Sequence, residues 1–442
     1  MSPRCCLLLL FATNAAVGEV KHATPETYRR LLTTLQPGDT LRLEAGVYER
    51  GLPVTGCNGT PDAWITIEGP ETGVAEIRQT QVANCVELRD CSHVALKRLS
   101  ILGEGPEGTP GLFGISAKGG PENRVHHILI EDCVISDWNT SQQAVGISTK
   151  TPTWDWTIRR NVIRNCGTGL YLGNSNGADP FVRGLVEHNL VENPIGYCME
   201  IKFQNPRPAI PGMPESDSRT ILRHNVFSKD GTPSPDGDRP NVLVGGFPES
   251  GPGSGDIYEI HGNVFWNNPR EALLQASGRV SIHDNLFLGD RGTLKAAIAL
   301  RDHDLPLRRA HVYHNTIVSS GEGIRVAAKN AGDLIITGNA VFTGKDALIL
   351  NGADGRVESN LTGTESDAAK HLANPAAMAF HPLTGAVKGP PLDLTPFRSD
   401  TAPSLDFDGR DKGESRHRGA FSNPDPQGRW TIERGIKPAL LR

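Results

Sequence analysis

An asparagine recurs at one place in a short phrase, and that recurrence restricts the chain to few folds. The phrase is a β-branched residue, any residue, a second β-branched residue, two further residues, then asparagine followed by two apolar residues. It appears around Asn161, Asn189, Asn225, Asn263, Asn285, Asn315 and Asn339, with Asp132 and Asn360 as degenerate ends. From Asn161 to Asn360 the steps are 28, 36, 38, 22, 30, 24 and 21 residues. Self-similarity at this spacing signals a repeat architecture in which no unit buries its apolar face alone. A second phrase, small residue–apolar–x–apolar, follows most of these asparagines, as in Gly169–Leu172, Cys198–Ile201, Ala297–Leu300 and Gly323–Val326. Each coil therefore carries two or three short alternating strands separated by tight turns. Stacked about 4.8 Å apart, such coils form parallel sheets around a narrow core. Asparagine suits the turns, because it tolerates the left-handed region and its amide can bond to the asparagine of the next coil.

Composition agrees. The 442 residues contain 49 Gly and 32 Pro but only 4 Met, which favours many strands and turns over helices. Hydrophobic residues make up 37%, enough for a large core. A net charge of −5 argues against a nucleic-acid binder, and no run reaches the roughly 18 apolar residues of a membrane-spanning helix. Residues 1–18 read as an export signal: Arg4, an apolar stretch Cys5–Ala12, then the small-residue site Ala16–Gly18. Export makes a secreted or periplasmic location the expectation. Two of the 8 cysteines fall in that segment, and the other six are Cys57, Cys85, Cys91, Cys133, Cys166 and Cys198. They permit disulfides in an exported protein, but buried small apolar residues are an equally good reading. Pro25–Leu35 reads as an amphipathic helix covering the first coil and blocking edge pairing.

The helix, the segment Pro37–Glu49 (PGDTLRLEAGVYE), the segment Asn58–Gly69 (NGTPDAWITIEG) and the asparagine-bearing coils together resemble the right-handed parallel β-helix proteins. Within them the chain looks most like the superfamily of polysaccharide lyases that includes pectate lyases, alginate lyases and chondroitinase B. Leu405–Arg410 and Arg418–Phe421 are similar to a closing segment of bacterial β-helix proteins. The expected organisation is a signal at 1–18, an all-β parallel β-helix with an N-terminal capping helix at 22–385, and an irregular closing segment at 386–442. A capped solenoid is expected to be a monomer. Fold alone does not fix activity.

The site is expected beside the longest insertions, because extra residues in a solenoid become loops on one face. The two longest steps flank Cys198–Gln204. If Met199, Ile201 and Phe203 face the core, then Glu200, Lys202 and Gln204 stand together outside. The plainer account of Glu200 and Lys202 is an exposed ion pair. Asp236, Asp238 and Arg239 come from the second insertion, Arg207, Arg219 and His224 from nearby, and Trp138, Trp154 and Trp156 from earlier coils. Elimination on a uronate needs a neutralised carboxylate, a base for the C5 proton and a stabilised leaving oxygen. Lys202 is the expected base if Arg207 or Arg239 lowers its pKa, with Arg219, Arg239 and His224 as substitutes. Glu200, Asp236 and Asp238 could hold Ca²⁺. Gln204, Arg207, Gln275, Trp138 and Arg301 are the expected contacts to an acidic polysaccharide.

The resemblance implies metal-binding glutamates ahead of a lysine base, and an Arg–His pair one coil later. Here Lys202 follows Glu200 by only two residues, and the next coil offers Val242–Gly246 instead of that pair. The comparable phrase Arg301–Asp304 comes three coils on, about 14 Å away and out of reach by strand spacing. A C5 epimerase, an inverting hydrolase with carboxylates about 6.5–9.5 Å apart, and a non-catalytic carbohydrate-binding solenoid stay open as alternatives.

Overall fold

The computed structural model describes residues 18–231, 233–237, 239–289, 295–424 and 430–439. The signal segment therefore lies, but for Gly18, outside the described residues. The coils wind into a parallel β-helix of three walls. The first wall has 14 strands, running from Val20–Ala23 to Arg356–Glu358. The second has 12, from Gly46–Tyr48 to Leu361–Thr364, and the third has 11, from Leu52–Thr55 to Leu348–Ile349. Inside, alternate residues stack coil upon coil: the rings of Phe227, Phe265 and Phe287 lie 5.4 and 4.5 Å apart.

The asparagine ladder stands at the corner between the first and second walls. From Asn161 to Asn339 each backbone N–H donates to the side-chain oxygen of the next asparagine at 2.9–3.1 Å, and each side-chain amide donates to the same oxygen at 2.9–3.0 Å. The left-handed residue is not the asparagine but the one before it: Arg160, His188, His224, Gly262, Asp284, His314, Gly338 and Ser359 have φ between 52 and 69°. Cys133, not Asp132, begins the ladder, donating its N–H to Asn161 at 2.9 Å. A two-residue corner cannot absorb insertions. The long connections therefore fall at the other two corners, which flank the third wall; they are 202–218 and the stretch between Val226–Ser228 and Val242–Val244.

The N-terminal helix is shorter than the sequence suggests, Tyr28–Leu32. It still closes the end of the core: Tyr28 and Leu32 are buried, and the Tyr28 hydroxyl donates to Gly51 O at 2.9 Å. A strand at Val20–Ala23 precedes it and pairs with Thr40–Leu43.

The closing segment does not sit on the end of the helix. It runs back along the outside. Phe407, Phe421 and Ile432, with Phe380 just ahead of the segment, cover the outward residues Leu190, Val226, Val264, Leu286 and Phe342 of the second wall. On the first wall Phe397 stacks on Tyr313 at 3.9 Å, and Lys412 pairs with Asp284 at 2.7 Å. Beneath it His261 stacks on His283 at 4.9 Å and His283 on Tyr313 at 4.7 Å. His261 and His283, at the ends of their strands, are buried because the segment lies over them. All six cysteines of residues 57–198 are free and buried.

Candidate active site

With the later coils of the first two walls covered by the closing segment, polar and charged groups gather in a cleft on the outer face of the third. Strand pairing there sets Ser148, Tyr171, Glu200, Leu243, Gln275 and Ala299 level with one another, one per coil. Around Tyr171 and Glu200 a cleft of about 390 Å³ opens. It is lined by Gln142, Gln143, Lys150, Thr168, Tyr171, Tyr197, Glu200, Lys202, Arg239, His303 and Asp304, with Val145 at its base.

Lys202 Nζ donates to Glu200 Oε1 at 2.9 Å, and both side chains are largely buried. Two ammonium groups bracket the Tyr171 ring: Lys150 Nζ lies 5.2 Å and Lys202 Nζ 5.9 Å from its centroid. Lys150 also lies 5.0 Å from the Phe113 ring. Burial, with Lys118 nearby, moves the Lys150 ammonium down from its ordinary value. Arg239 lies over Tyr197 at 5.4 Å. Burial first and the Glu200 carboxylate second push the Tyr171 phenol up to about 12, and the same two causes raise Tyr197. Among the described residues neither Lys150 nor Arg239 makes an ion pair; each faces aromatic rings instead.

His303 and Asp304 enter the cleft from three coils away. After Arg301 the chain folds back: His303 and Leu305 exchange backbone hydrogen bonds at 3.1 and 2.6 Å. Ser277 Oγ donates to Leu305 O at 2.6 Å. The Asp302 carboxylate accepts from Leu307 N at 2.9 Å and from Lys329 N at 3.1 Å. A Cβ on Gly246 would lie 2.4 Å from Leu305 Cβ, so only glycine lets the loop seat so closely. His303 Nε2 is 3.6 Å from Asp304 Oδ2. Burial moves the His303 imidazole below its ordinary value; the Asp304 carboxylate opposes this, and Lys202 and Arg301 add to it. Arg301 stays on its strand, while the loop after it carries His303 back to the cleft.

Of the residues proposed from sequence, Glu200, Lys202 and Arg239 come together in this cleft. Gln275 and Arg301 line an adjoining groove farther along the same wall. Gln204 turns inward, donating to Phe181 O at 3.1 Å and to the Tyr258 hydroxyl at 3.3 Å. The strand ends at Ile201, so alternation lapses and Phe203, not Gln204, is part-exposed. Arg207 is buried in its own loop, paired with Asp256 and donating to Pro214 O at 2.6 Å and Ser216 O at 3.0 Å. Arg219 belongs to the first wall, paired with Glu259. His224 occupies the left-handed corner before Asn225, half-buried with its ring 4.9 Å from that of His188. Trp138 is buried and donates to Ile101 O at 3.4 Å; Trp154 and Trp156 are fully buried, so none is a sugar platform. Asp236 is exposed at the rim, accepting from Gln143 Nε2 at 2.7 Å. Asp238 lies outside the described residues. Glu200 accepts from Lys202 at 2.9 Å, and Asp236 and Gln143 bond each other at the rim.

Tyr171, Tyr197, Lys150, His303 and Asp304 were not singled out as a set by sequence. Tyr171 carried a usable signal, since it lies one coil before Glu200 at the same strand position; His303 carried one in the phrase Arg301–Asp304, which strand spacing alone placed out of reach.

No family model matches the chain, and no curated protein matches it. Among solved structures it is similar to the A-module of a mannuronan C-5 epimerase from Azotobacter vinelandii, at 16% identity and TM-score 0.48 over 74% of this chain and 91% of that one. It is also similar to an alginate lyase from Paenibacillus sp., at 13% identity and TM-score 0.40 over 78% and 99%. A lacto-N-biosidase from Eubacterium ramulus aligns at 11% identity and TM-score 0.47 over 78% and 68%. Likeness of this degree concerns the fold alone.

Proposed function

We propose that the chain is an exported enzyme acting on an acidic, uronate-containing polysaccharide, and that it cleaves by β-elimination. One observation carries the reading: Lys150 and Arg239, cations without an ion pair among the described residues, share a cleft with Lys202, two proton-bearing phenols and a histidine. Cations facing aromatic rings suit a sugar carboxylate, with the rings packing on apolar sugar faces.

In this reading Lys150, Lys202 and Arg239 neutralise the carboxylate at C5, which acidifies C5–H. Lys202 Nζ already donates to Glu200 at 2.9 Å, a contact that suits neutralisation better than base catalysis. His303, whose imidazole burial holds below its ordinary value, removes the C5 proton. The electron pair forms the C4–C5 double bond as the C4–O bond breaks, and a phenol, Tyr171 or Tyr197, protonates the departing oxygen. The ammonium of Lys202 already occupies Glu200, so the neutralising role belongs to these side chains and activity is expected to survive EDTA.

A C5 epimerase would share proton removal and differ in reprotonating C5 from the other face. Both are tested by incubating the protein with pectate, alginate, glycosaminoglycans and bacterial exopolysaccharides, followed by mass analysis. Elimination gives ends lighter by one water and ultraviolet absorbance. Products heavier by one water mean hydrolysis, and solvent deuterium at C5 without shortening means epimerisation. No change with any polymer would overturn the enzyme reading.

A further inference from the structure

We propose that His93, His126 and His127 form a three-histidine site for a divalent transition-metal ion of the zinc class. The site lies on the outer face of the first wall, away from the third-wall cleft, and does not depend on the function proposed there. One ring nitrogen from each histidine lies within 4.8 Å of the others.

The backbone builds this cluster. His93 belongs to Cys91–Lys97, and His126 and His127 to the paired strand Val125–Glu131. In that pairing His126 is level with Ser92 and Ile128 with Val94, so His93 and His127 are left as a matched pair outside the ladder. Both have φ of 52°, and Asp155 continues the column in the next coil at 57°. A left-handed residue repeated at one height turns successive side chains toward the same outer spot. The His93 and His127 rings stack at 4.4 Å, and His126 stacks on Trp154 at 4.4 Å.

Two further features suit a metal. Asp155 Oδ2 lies 3.3 Å from His127 Nε2, and Arg183 of the following coil holds that carboxylate, donating Nη2 to Oδ2 at 2.6 Å. A carboxylate on one ring nitrogen fixes the tautomer and leaves the other as a donor, the usual support of a metal-bound histidine. The freed His127 Nδ1 faces His126 Nδ1 at 2.8 Å. Two nitrogens on a tetrahedral zinc ion stand about 3.3 Å apart, given Zn–N bonds near 2.05 Å, so the pair opens only slightly to admit the ion. His93 Nδ1, meanwhile, is buried without a hydrogen-bond partner. Imidazole donors select Zn²⁺, Cu²⁺ or Ni²⁺ over Ca²⁺ and Mg²⁺. Three protein ligands leave a fourth position for water or an anion.

The test is titration of the full chain with zinc chloride by calorimetry, and with cobalt chloride by visible absorption. One ion per chain is expected. His93→Gln and His127→Gln are each expected to weaken binding at least tenfold. Asp155→Asn, which keeps all three imidazoles, is expected to cost about 10–100-fold, as for other supporting carboxylates. His93→Gln is the deciding variant, since the unbonded His93 Nδ1 makes it the mildest for folding. Absence of saturable binding to the wild type, or unchanged binding in a His93→Gln protein with wild-type circular dichroism and melting, would overturn the site.

Discussion

Asn263 shows how much one side chain can do in a repeat. Its oxygen accepts from both the backbone and the side chain of Asn225, at 2.9 and 3.0 Å. Its amide donates to Leu222 O, His261 O and the Asn285 oxygen, at 2.8, 3.0 and 3.0 Å. Alanine here strands buried groups on two neighbouring coils, each costing about 1–3 kcal/mol. Asn263→Ala should lower unfolding stability by roughly 3–5 kcal/mol, and Asn360→Ala, at the half-exposed end of the ladder, by about 1 kcal/mol. Equal losses in urea titrations would refute a load carried by the ladder. At the same scale, His303 supplies the base of the proposed reaction. His303→Ala should reduce kcat by about 10²–10⁴-fold with little change in KM, whereas Lys150→Ala should act mainly on KM. Burial holds the imidazole below its ordinary value, and the base works only when unprotonated. The acid limb of kcat/KM should therefore fall below pH 6.5 and disappear in His303→Ala. A limb unchanged in the variant would assign it to another group.

The strands were legible because their period is local: alternation through Met199, Glu200 and Ile201 sufficed to place Glu200 on the outer face. Three residues after Ile201 the same rule misplaced Gln204, because a strand's parity ends with its ladder and nothing in the residues marks Ile201 as the last. The loop after Arg301 was less legible still. Its return over the third wall depends on Gly246, Ser277 and Asp302, which belong to different coils and form no motif. This dependence makes Gly246→Ala informative. The added methyl would meet Leu305 Cβ at 2.4 Å, and the loop, rather than the strand stack beneath it, should yield. Displacement of a catalytic group by about 1 Å can cost about 10²-fold in rate. Activity should drop by at least tenfold while the melting temperature stays close to wild type. A fully active Gly246→Ala protein would detach His303 from the chemistry.

For the whole molecule, the closing segment decides which wall can work. Its role was hidden in the sequence, since it has no repeat and its partners lie far back in the chain: Thr316 Oγ1 accepts from Ala420 N at 2.9 Å, and Lys437 reaches Gly262 O and Phe407 O, both at 2.9 Å. Lys437 also gives its docking a pH dependence. Burial lowers the ammonium to about 7, with carboxylates of Asp408, Asp406 and Asp284 opposing. In the unfolded chain the amine keeps its ordinary pKa of about 10.4. Between these values the unfolded state binds a proton that the folded state does not, so stability rises with pH across the window, by up to about 1.4 kcal/mol per pH unit. Below about 7 the full cost of a buried charge is present. Buried thiols work in the opposite sense, since burial raises Cys85, Cys91, Cys133, Cys166 and Cys198 while unfolded thiols titrate near pH 8.5. The comparison therefore belongs between pH 7 and 8, where the thiols contribute little. There the wild type should gain stability as pH rises, and Lys437→Met, with no proton to lose, should gain less. Parallel pH slopes for the two proteins in urea titrations would mean that Lys437 is not the group whose charge opposes docking.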